Sequence, residues 1–241
     1  LTMENRVLFH RVANTLNYLD IRTVIVSCGT CMDQLMRYEF GRIFPGCRLL
    51  DIHEYLMEKG LTPSADDQIS AAESSIGAPQ SDFRNLGNAR SANSIRTGSD
   101  DGSFTHYLFH DPCHSPMKTH PPQKVATSLL NQPVTLTERC CGEAGTLGTA
   151  RPDIANQLRF RKQESLVEAL RHLIEQDKAI GRVKLLTSCP ACLQGLAKYT
   201  DDTGLVTDYI VTELARRRFG ESWQQRFLDQ ISRGGIDMVL L

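Results

Sequence analysis

An apolar segment that runs into Ser-Cys-x-x-Cys occurs twice in this sequence and constrains the fold more than any other feature. The two copies are VIVSCGTC, which contains Cys28 and Cys31, and KLLTSCPAC, which contains Cys189 and Cys192. A helix is expected after each pair, and the downstream segments LLDIHEYLMEKG and LVTDYIVTELARRRFG match in pattern. The repeat predicts an α/β chain made of two similar Rossmann-like halves with parallel sheets.

The apolar periodicity outside residues 64–103 alternates between strands and helices. Predicted strands lie at 23–27, near Leu49 and Leu50, and at 107–110, 134–137 and 183–187. Predicted helices lie at about 5–18, after Cys31, at 52–58, 124–130 and 152–176, after Pro190, and at 209–217 and 223–231. The long helix 152–176 has an expected apolar stripe of Ile154, Leu158, Leu166, Leu170, Leu173 and Ile174.

Residues 62–104 are expected to form a disordered linker or insertion between the halves. The text from Ser64 to Ser103 is rich in Ser, Ala, Asn, Asp and Gly, so it buries too little apolar surface to offset its ordering entropy. Residues 105–241 are predicted to be a complete module with C-terminal helices. Residues 1–61 match only the second half of that module, so we expect the first module to be incomplete and the chain to continue a longer protein.

The charge balance excludes some partners. The chain of 241 residues has 27 basic and 28 acidic side chains, which gives no electrostatic reason to expect nucleic-acid binding. No apolar run is long enough for a membrane span, and the N-terminus lacks the pattern of a signal peptide. We therefore expect a cytoplasmic protein, with peripheral association with the inner membrane left open.

The eight cysteines favour metal ligands or redox thiols over disulfides, because in a reducing compartment C-x-x-C pairs serve those purposes. The adjacent Cys140 and Cys141 cannot form an ordinary disulfide. Consecutive Cα atoms lie about 3.8 Å apart, whereas disulfides need about 4.4 to 6.8 Å. Cys47 has no partner at motif spacing and is expected to be a small buried hydrophobic residue.

Five cysteines of the second module each follow the end of a predicted strand: Cys113, Cys140, Cys141, Cys189 and Cys192. The carboxyl ends of parallel strands form the ligand crevice of such sheets, so these thiols are expected to converge. A single tetrahedral zinc is saturated by four thiolates, whereas an iron–sulfur cluster has several irons to bind. Five sulfurs therefore indicate a polynuclear metal site.

Backbone groups are expected to support this site. Helices predicted to begin just after Cys113 and around Cys192 would lower thiol pKa values through their N-terminal N–H groups. Gly142, Gly145 and Gly148 are expected to let the backbone approach and donate N–H groups to sulfur. No Ser-His-Asp order, paired carboxylate or P-loop stands out, so no catalytic residue is predicted.

The order C…CCG…C-x-x-C resembles the cysteine-rich CCG domain that is found in heterodisulfide reductase and in the iron–sulfur subunits of glycolate, lactate and anaerobic glycerol-3-phosphate oxidoreductases. The segments HDPCHSPMK, ERCCGEAGTLGTARPDIANQLRFRK and LLTSCPACLQGL are most similar to the C-terminal region of large bacterial proteins that fuse an FAD-linked oxidase to ferredoxin-type and CCG domains. The resemblance covers about 105–241 as a full module and 1–60 as half of another.

The resemblance implies an oxidoreductase component with a [4Fe–4S] cluster, cubane or non-cubane, held by Cys113, Cys140, Cys141, Cys189 and Cys192. It implies that Cys28 and Cys31 are two ligands of a second site in a longer protein, and the alternative is a bare dithiol in this chain. Electrons would pass from reduced FAD, on a flavin dehydrogenase domain or subunit outside this chain, towards a quinone or other acceptor, with a ferredoxin-type domain as a further partner.

Two alternatives remain open. The cluster itself could reduce a disulfide substrate, as in heterodisulfide reductase, or the module could be a structural zinc-binding domain without a redox role. His110 and His114 flank Cys113, and one of them could bind iron. With enough thiols nearby, hydrogen bonding or packing is the favoured interpretation of both histidines.

Overall fold

The computed structural model describes residues 2–15, 21–63, 104–143, 145–176 and 182–234. The predicted linker 62–104 lies outside these ranges except at its two ends. The strands are β1 (Thr23–Val26), β2 (Arg48–Asp51), β3 (Phe104–His110), β4 (Val134–Thr137), β5 (Arg182–Thr187) and β6 (Val206–Tyr209). The helices are α1 (Thr2–Thr15), α2 (Gly29–Met36), α3 (Phe40–Ile43), α4 (Ile52–Glu58), α5 (Pro122–Leu130), α6 (Leu147–Ala150), α7 (Pro152–Gln176), α8 (Pro190–Ala197), α9 (Thr200–Thr203), α10 (Ile210–Phe219) and α11 (Trp223–Gly234).

The strands form two parallel sheets, which confirms the predicted α/β class. One sheet pairs β1 with β2, and the other has the order β4-β3-β5-β6. In each sheet a strand that ends at a Ser-Cys-x-x-Cys segment pairs with the next strand in the chain, β1 with β2 and β5 with β6. Of the four strands in the larger sheet, β5 and β6 are therefore the two that have counterparts in the described part of the first half.

Two apolar layers cover the four-stranded sheet, because successive strand residues point to opposite faces. Tyr107 and Phe109 pack with α5 and α10 on one face, while Leu108 and Leu185 pack with α7 and α8 on the other. Helix α4 of the first half also packs on the α5 face through Leu56 and Met57. The first half is thus docked on the core of the second.

Most predicted element positions agree with the structure, and α4, β4 and α7 have the predicted bounds. The prediction of a helix just after Cys113 is wrong: residues 111–121, all of them described, contain no helix. Pro112, Pro116 and Pro121 explain this, because proline lacks an N–H group and disfavours a helical conformation in the preceding residue. The prediction also missed β6 and placed the start of α2 too late, since Cys28 is its N-cap residue.

The buried stripe of α7 differs from the predicted one. Leu166 and Leu173 are buried as expected, but Ile154 is 37% exposed. Ala155 and Lys162 complete the buried face, so a lysine occupies a core position of this 25-residue helix. No helix in the described ranges, α7 included, has the length and apolar character required to span a bilayer.

Candidate metal centre

The carboxyl edge of the four-stranded sheet brings the three cysteine-bearing segments together. His110, the last residue of β3, is in register with Thr137 at the end of β4 and with Thr187 at the end of β5. Directly after each of these adjacent strand ends, the chain enters a segment that contains one or two of the cysteines. The segments contain Cys113 after β3, Cys140 and Cys141 after β4, and Cys189 and Cys192 after β5.

All eight cysteines lie in the described ranges and all are free thiols, which confirms that Cys140 and Cys141 do not pair. The centre of the site is formed by Cys141 and Cys192, whose Sγ atoms lie 3.2 Å apart and whose residues are each 4% exposed. A ring nitrogen of His110 completes a buried group whose ligand atoms all lie within 4.8 Å of one another. This group could hold a metal ion.

The two buried thiols have unequal proton affinities. The hydrogen bond with the Cys192 thiol lowers the pKa of Cys141 to about 4, assisted by His110 and by the backbone N–H of Glu143. The same interaction, together with a hydrogen bond to Cys189, raises the pKa of Cys192. The pKa of Cys141 is therefore the lower of the two, which gives Cys141 more thiolate character than Cys192.

Cys189 is the N-cap residue of α8, so it lies at the helix end where the first N–H groups have no partner within the helix. The Cys192 thiol, followed by the backbone N–H groups of Cys192 and Ala191, lowers the pKa of Cys189 to about 6. The expectation that a helix N-terminus supports the C-x-x-C thiols therefore agrees with the geometry at Cys189. At Cys113 it does not, because no helix begins there.

The remaining two thiols lie at the open side of the group. Burial raises the pKa of Cys140, and the charges of Cys141 and Cys113 raise it further. Cys113 itself is exposed, whereas Cys140 is half-buried. The five cysteines thus range from buried (Cys141 and Cys192) through half-buried (Cys140 and Cys189) to exposed (Cys113).

The glycines after the cysteine pair play unequal parts. Gly142 has φ +80°, donates its N–H to Cys140 Sγ at 3.4 Å, and is packed so closely that a Cβ would lie 3.0 Å from Arg159 Cγ. Gly145 has φ +49°, but a Cβ there would have no described atom within 4 Å. The predicted close approach therefore applies to Gly142 and not to Gly145.

Gly195 on α8 joins the two cysteine segments, a role that the sequence analysis missed. A Cβ at this position would lie 2.3 Å from Glu143 Cγ and 3.3 Å from the carbonyl oxygen of Cys141. Only glycine lets the helix lie this close to the loop. Glu143 is held there by ion pairs with Arg159 and Lys198, and the Lys198 ammonium is the main cause that lowers its pKa.

Cys28 and Cys31 form a second thiol pair at the carboxyl end of β1. The Cys28 thiol hydrogen-bonds Cys31 and raises the pKa of the Cys31 thiol, which is exposed. Tyr209, the last residue of β6, donates a hydrogen bond from its hydroxyl to the carbonyl oxygen of Ser27 at 2.8 Å. Burial raises the pKa of Tyr209, and the charges of Cys189 and Cys28 contribute. The two C-x-x-C pairs therefore lie near the same phenol.

Cys47 is half-buried and remote from these motifs in the chain. Its thiol is 3.6 Å from the carbonyl oxygen of Arg48, and burial raises its pKa. It is less enclosed than the sequence predicts.

Lys162 was not predicted as part of the site. Its side chain is fully buried, and its Nζ lies 3.2 Å from His110 Nδ1. Burial lowers the pKa of Lys162 to about 8, while the charges of Cys141, Cys140 and Cys192 act in the opposite direction. The site therefore contains a buried cation beside its thiols.

The donor set fits an iron–sulfur cluster. Thiolate sulfur is the preferred ligand of zinc, copper(I) and iron–sulfur clusters, and five thiols exceed the four that a tetrahedral zinc uses. Backbone N–H groups at Gly142 and at the start of α8 supply the hydrogen bonds that such sulfurs accept.

Comparisons with known proteins agree with this geometry. Residues 107–197 match the family model described as Cysteine-rich domain (CCG), and residues 197–241 match a domain of unknown function (DUF3400). No curated protein and no solved structure matches the chain. The first match extends from β3 to the end of α8, so it contains all three segments that carry the five thiols.

Proposed function

We propose, from the premise that residues 107–197 belong to the cysteine-rich CCG domain family, that this segment holds a [4Fe–4S] cluster and acts as the electron-transfer part of an oxidoreductase. CCG domains occur in subunits of redox enzymes. The observation that carries the proposal is the buried pair of free thiols Cys141 and Cys192, whose sulfurs lie 3.2 Å apart on segments that follow two strands of one sheet, β4 and β5. The proposed ligands are Cys113, Cys140, Cys141, Cys189 and Cys192.

The protein's own groups would each have a defined task. The sulfurs of Cys141 and Cys192 lie where water has little access, and a dry surrounding strengthens every electrostatic interaction with the metal group. The N–H groups of Gly142, Ala191 and Cys192 hold the neighbouring sulfurs in place. When bound, the cluster would supply one-electron transfer at a potential set by these surroundings.

Electrons would come from a reduced flavin on a domain or subunit outside this chain and leave towards a quinone or another acceptor. Cys113 is exposed, so a partner can approach the proposed cluster from its side. Cys28 and Cys31 are proposed as ligands of a second site near Tyr209.

The test is metal analysis of protein purified without oxygen, with electron paramagnetic resonance before and after reduction. Iron with acid-labile sulfide is expected in the wild type, and C141S should lose most of it. C47S is the matched control, because it removes a thiol outside the site and should keep the full content. Zinc alone, or iron in C141S equal to that of C47S, would contradict the proposal.

A second measurement separates electron transfer from disulfide reduction. Photoreduced free FAD is expected to bleach the visible absorption of the loaded protein, and a soluble quinone should restore it. Turnover of a disulfide by the loaded protein, with reduced methyl viologen as the electron donor and without any flavin, would instead favour a heterodisulfide-reductase-like activity.

A further inference from the structure

Lys162 is a charged residue in the core, where burying a charge costs free energy of desolvation. It lies on the buried stripe of α7, between Ala155 and Leu166, and none of its surface is exposed. An ammonium group taken from water into such a site must find hydrogen-bond acceptors or opposite charge. The groups that accept hydrogen bonds from its three hydrogens therefore determine the role of Lys162.

Each hydrogen of the ammonium has one acceptor. Nζ lies 2.7 Å from the carbonyl oxygen of Glu138, 2.8 Å from Thr137 Oγ1 and 3.2 Å from His110 Nδ1. A lysine ammonium has three donors and no lone pair, so it is fully satisfied by these three contacts. With Lys162 as an ammonium, His110 Nδ1 accepts this hydrogen bond and carries no proton.

The tautomer of His110 is then determined. A neutral imidazole carries one proton, and the hydrogen bond at one nitrogen decides that the proton sits on the other. With Nδ1 accepting from Lys162, the proton of His110 is on Nε2. Neither nitrogen then has a free lone pair for a metal, and the ring faces the thiols as an N–H donor. A ring nitrogen of His110 lies within 4.8 Å of Cys141 Sγ, and the ring lowers the pKa of Cys141, which fits that role.

We infer that Lys162 and His110 form a hydrogen-bond relay that presents an N–H group to Cys141, which makes His110 a positioning residue and not a metal ligand. The inference rests on the proposed cluster for its functional meaning, but the relay itself is a property of the protein. A cation and an N–H donor beside the sulfurs stabilise the more negative, reduced state. The relay therefore raises the reduction potential of the bound cluster.

The opposite arrangement is chemically possible and gives a different result. A neutral Lys162 amine would accept a proton from His110 Nδ1–H and leave Nε2 with a lone pair for metal. A neutral amine has only two hydrogens, for the carbonyl oxygen of Glu138 and Thr137 Oγ1, whereas an ammonium donates to all three neighbours of Nζ. The two arrangements differ in which ring nitrogen carries hydrogen.

Nitrogen-15 NMR of the histidine rings tests the relay in the metal-free, full-length chain. The His110 signals, assigned by their loss in H110Q, are expected to show the Nε2–H tautomer in the wild type. In K162M the preference should be lost or reversed. A wild-type Nδ1–H tautomer, or an unchanged tautomer in K162M, would overturn the inference without bearing on whether a cluster binds.

The loaded protein supplies the second readout. H110Q should keep the wild-type content of iron and sulfide, because the proposed ligands are cysteines and His110 is not one of them. Glutamine can also accept a hydrogen bond from Lys162 and donate one to sulfur. K162M should keep the cluster with a more negative potential, while R161M, which removes an exposed cation from the neighbouring position of α7, should not shift it.

Loss of iron in H110Q with folding retained, or equal potentials in K162M and R161M, would overturn the inference. A wild type that binds no iron–sulfur cluster would defeat the proposed function instead, and the NMR result would still decide the relay. Thermal melting of each variant shows whether it is folded.

Discussion

Cys189 and Cys47 are both half-buried thiols, yet their surroundings move their pKa values in opposite directions. Cys189 is the N-cap residue of α8, and the Cys192 thiol, followed by two backbone N–H groups, lowers its pKa to about 6. Cys47 has desolvation as its main influence, which raises its pKa. Since the thiolate is the reactive form, equal exposure should not give equal reactivity.

We expect iodoacetamide to modify Cys189 of the metal-free protein much faster than Cys47 at pH 7. The Cys189 rate should fall as the pH drops through about 6, because the thiolate is protonated there, whereas the Cys47 rate should still be rising above pH 9. Peptide mass spectrometry after timed alkylation measures both rates in one sample. Equal rates at pH 7 would show that the α8 cap does not stabilise the thiolate.

At the residue scale, the sequence predicted which residues form the candidate site better than it predicted their hydrogen-bond partners. The thiols could be chosen because each follows a predicted strand end, and parallel strand ends meet. Lys162 could have been found too, since it lies seven residues from Ala155 and four from Leu166, in phase with the buried stripe. The tautomer of His110 could not, because it depends on a hydrogen bond to a residue 52 positions away.

Helix α2 docks on the segment after Cys113 through a single glycine. A Cβ on Gly29 would lie 1.7 Å from the carbonyl oxygen of His114, closer than any real contact allows. The docking is completed by Asp33, which pairs with His114 at 2.6 Å and with Lys118 at 2.8 Å. The position therefore requires glycine for space, although its φ is not in the left-handed region.

We expect G29A to destabilise the protein by about 1–3 kcal/mol, the usual effect of overpacking. G41A is the matched control, since a Cβ on that glycine of α3 would have no described atom within 4 Å. Urea unfolding gives both free energies. A G29A protein as stable as G41A would mean that the close approach of α2 to His114 is absent in solution.

At the element scale, periodicity and local chemistry predicted what depends on neighbours in the chain. The bounds of β4 and α7 follow from apolar spacing and from Pro152 at the first helical position. The missing helix after Cys113 was also readable, because prolines recur through residues 112–122. Strand β6 was missed because its four residues run directly into α10, and only pairing with β5 distinguishes them.

The relation between the two sheets was beyond the sequence analysis, since it depends on contacts between segments on opposite sides of residues 64–103. The repeat predicted two similar halves, but not that α4 of the first would cover the core of the second. Tyr209 and Ser27 join the strand ends of the two sheets, and Glu54 joins α4 to the segment before α5. The first half thereby contributes to the surroundings of the five thiols.

Glu54 is the residue whose removal should separate these halves most clearly. Its side chain is fully buried and accepts backbone N–H groups from Thr119 and His120, both at 2.7 Å, and from Lys118 at 3.4 Å. We expect E54Q to lower the free energy of unfolding by about 1–3 kcal/mol. The amide of glutamine has one oxygen that accepts hydrogen bonds, and its NH2 group cannot accept the bonds that the second carboxylate oxygen accepted. E58Q, on the same helix, removes only a solvent-exposed ion pair with Arg48 and should have a smaller effect.

Hydrogen exchange of residues 113–120 shows where in the chain E54Q loses stability. In E54Q the amides of this segment should exchange faster than in the wild type, because they lose their buried acceptor, and Cys113 should become more reactive as the segment loosens. In E58Q both should remain at wild-type values. Faster exchange throughout the chain, with no excess in residues 113–120, would show that Glu54 stabilises the fold as a whole and does not hold this segment against α4.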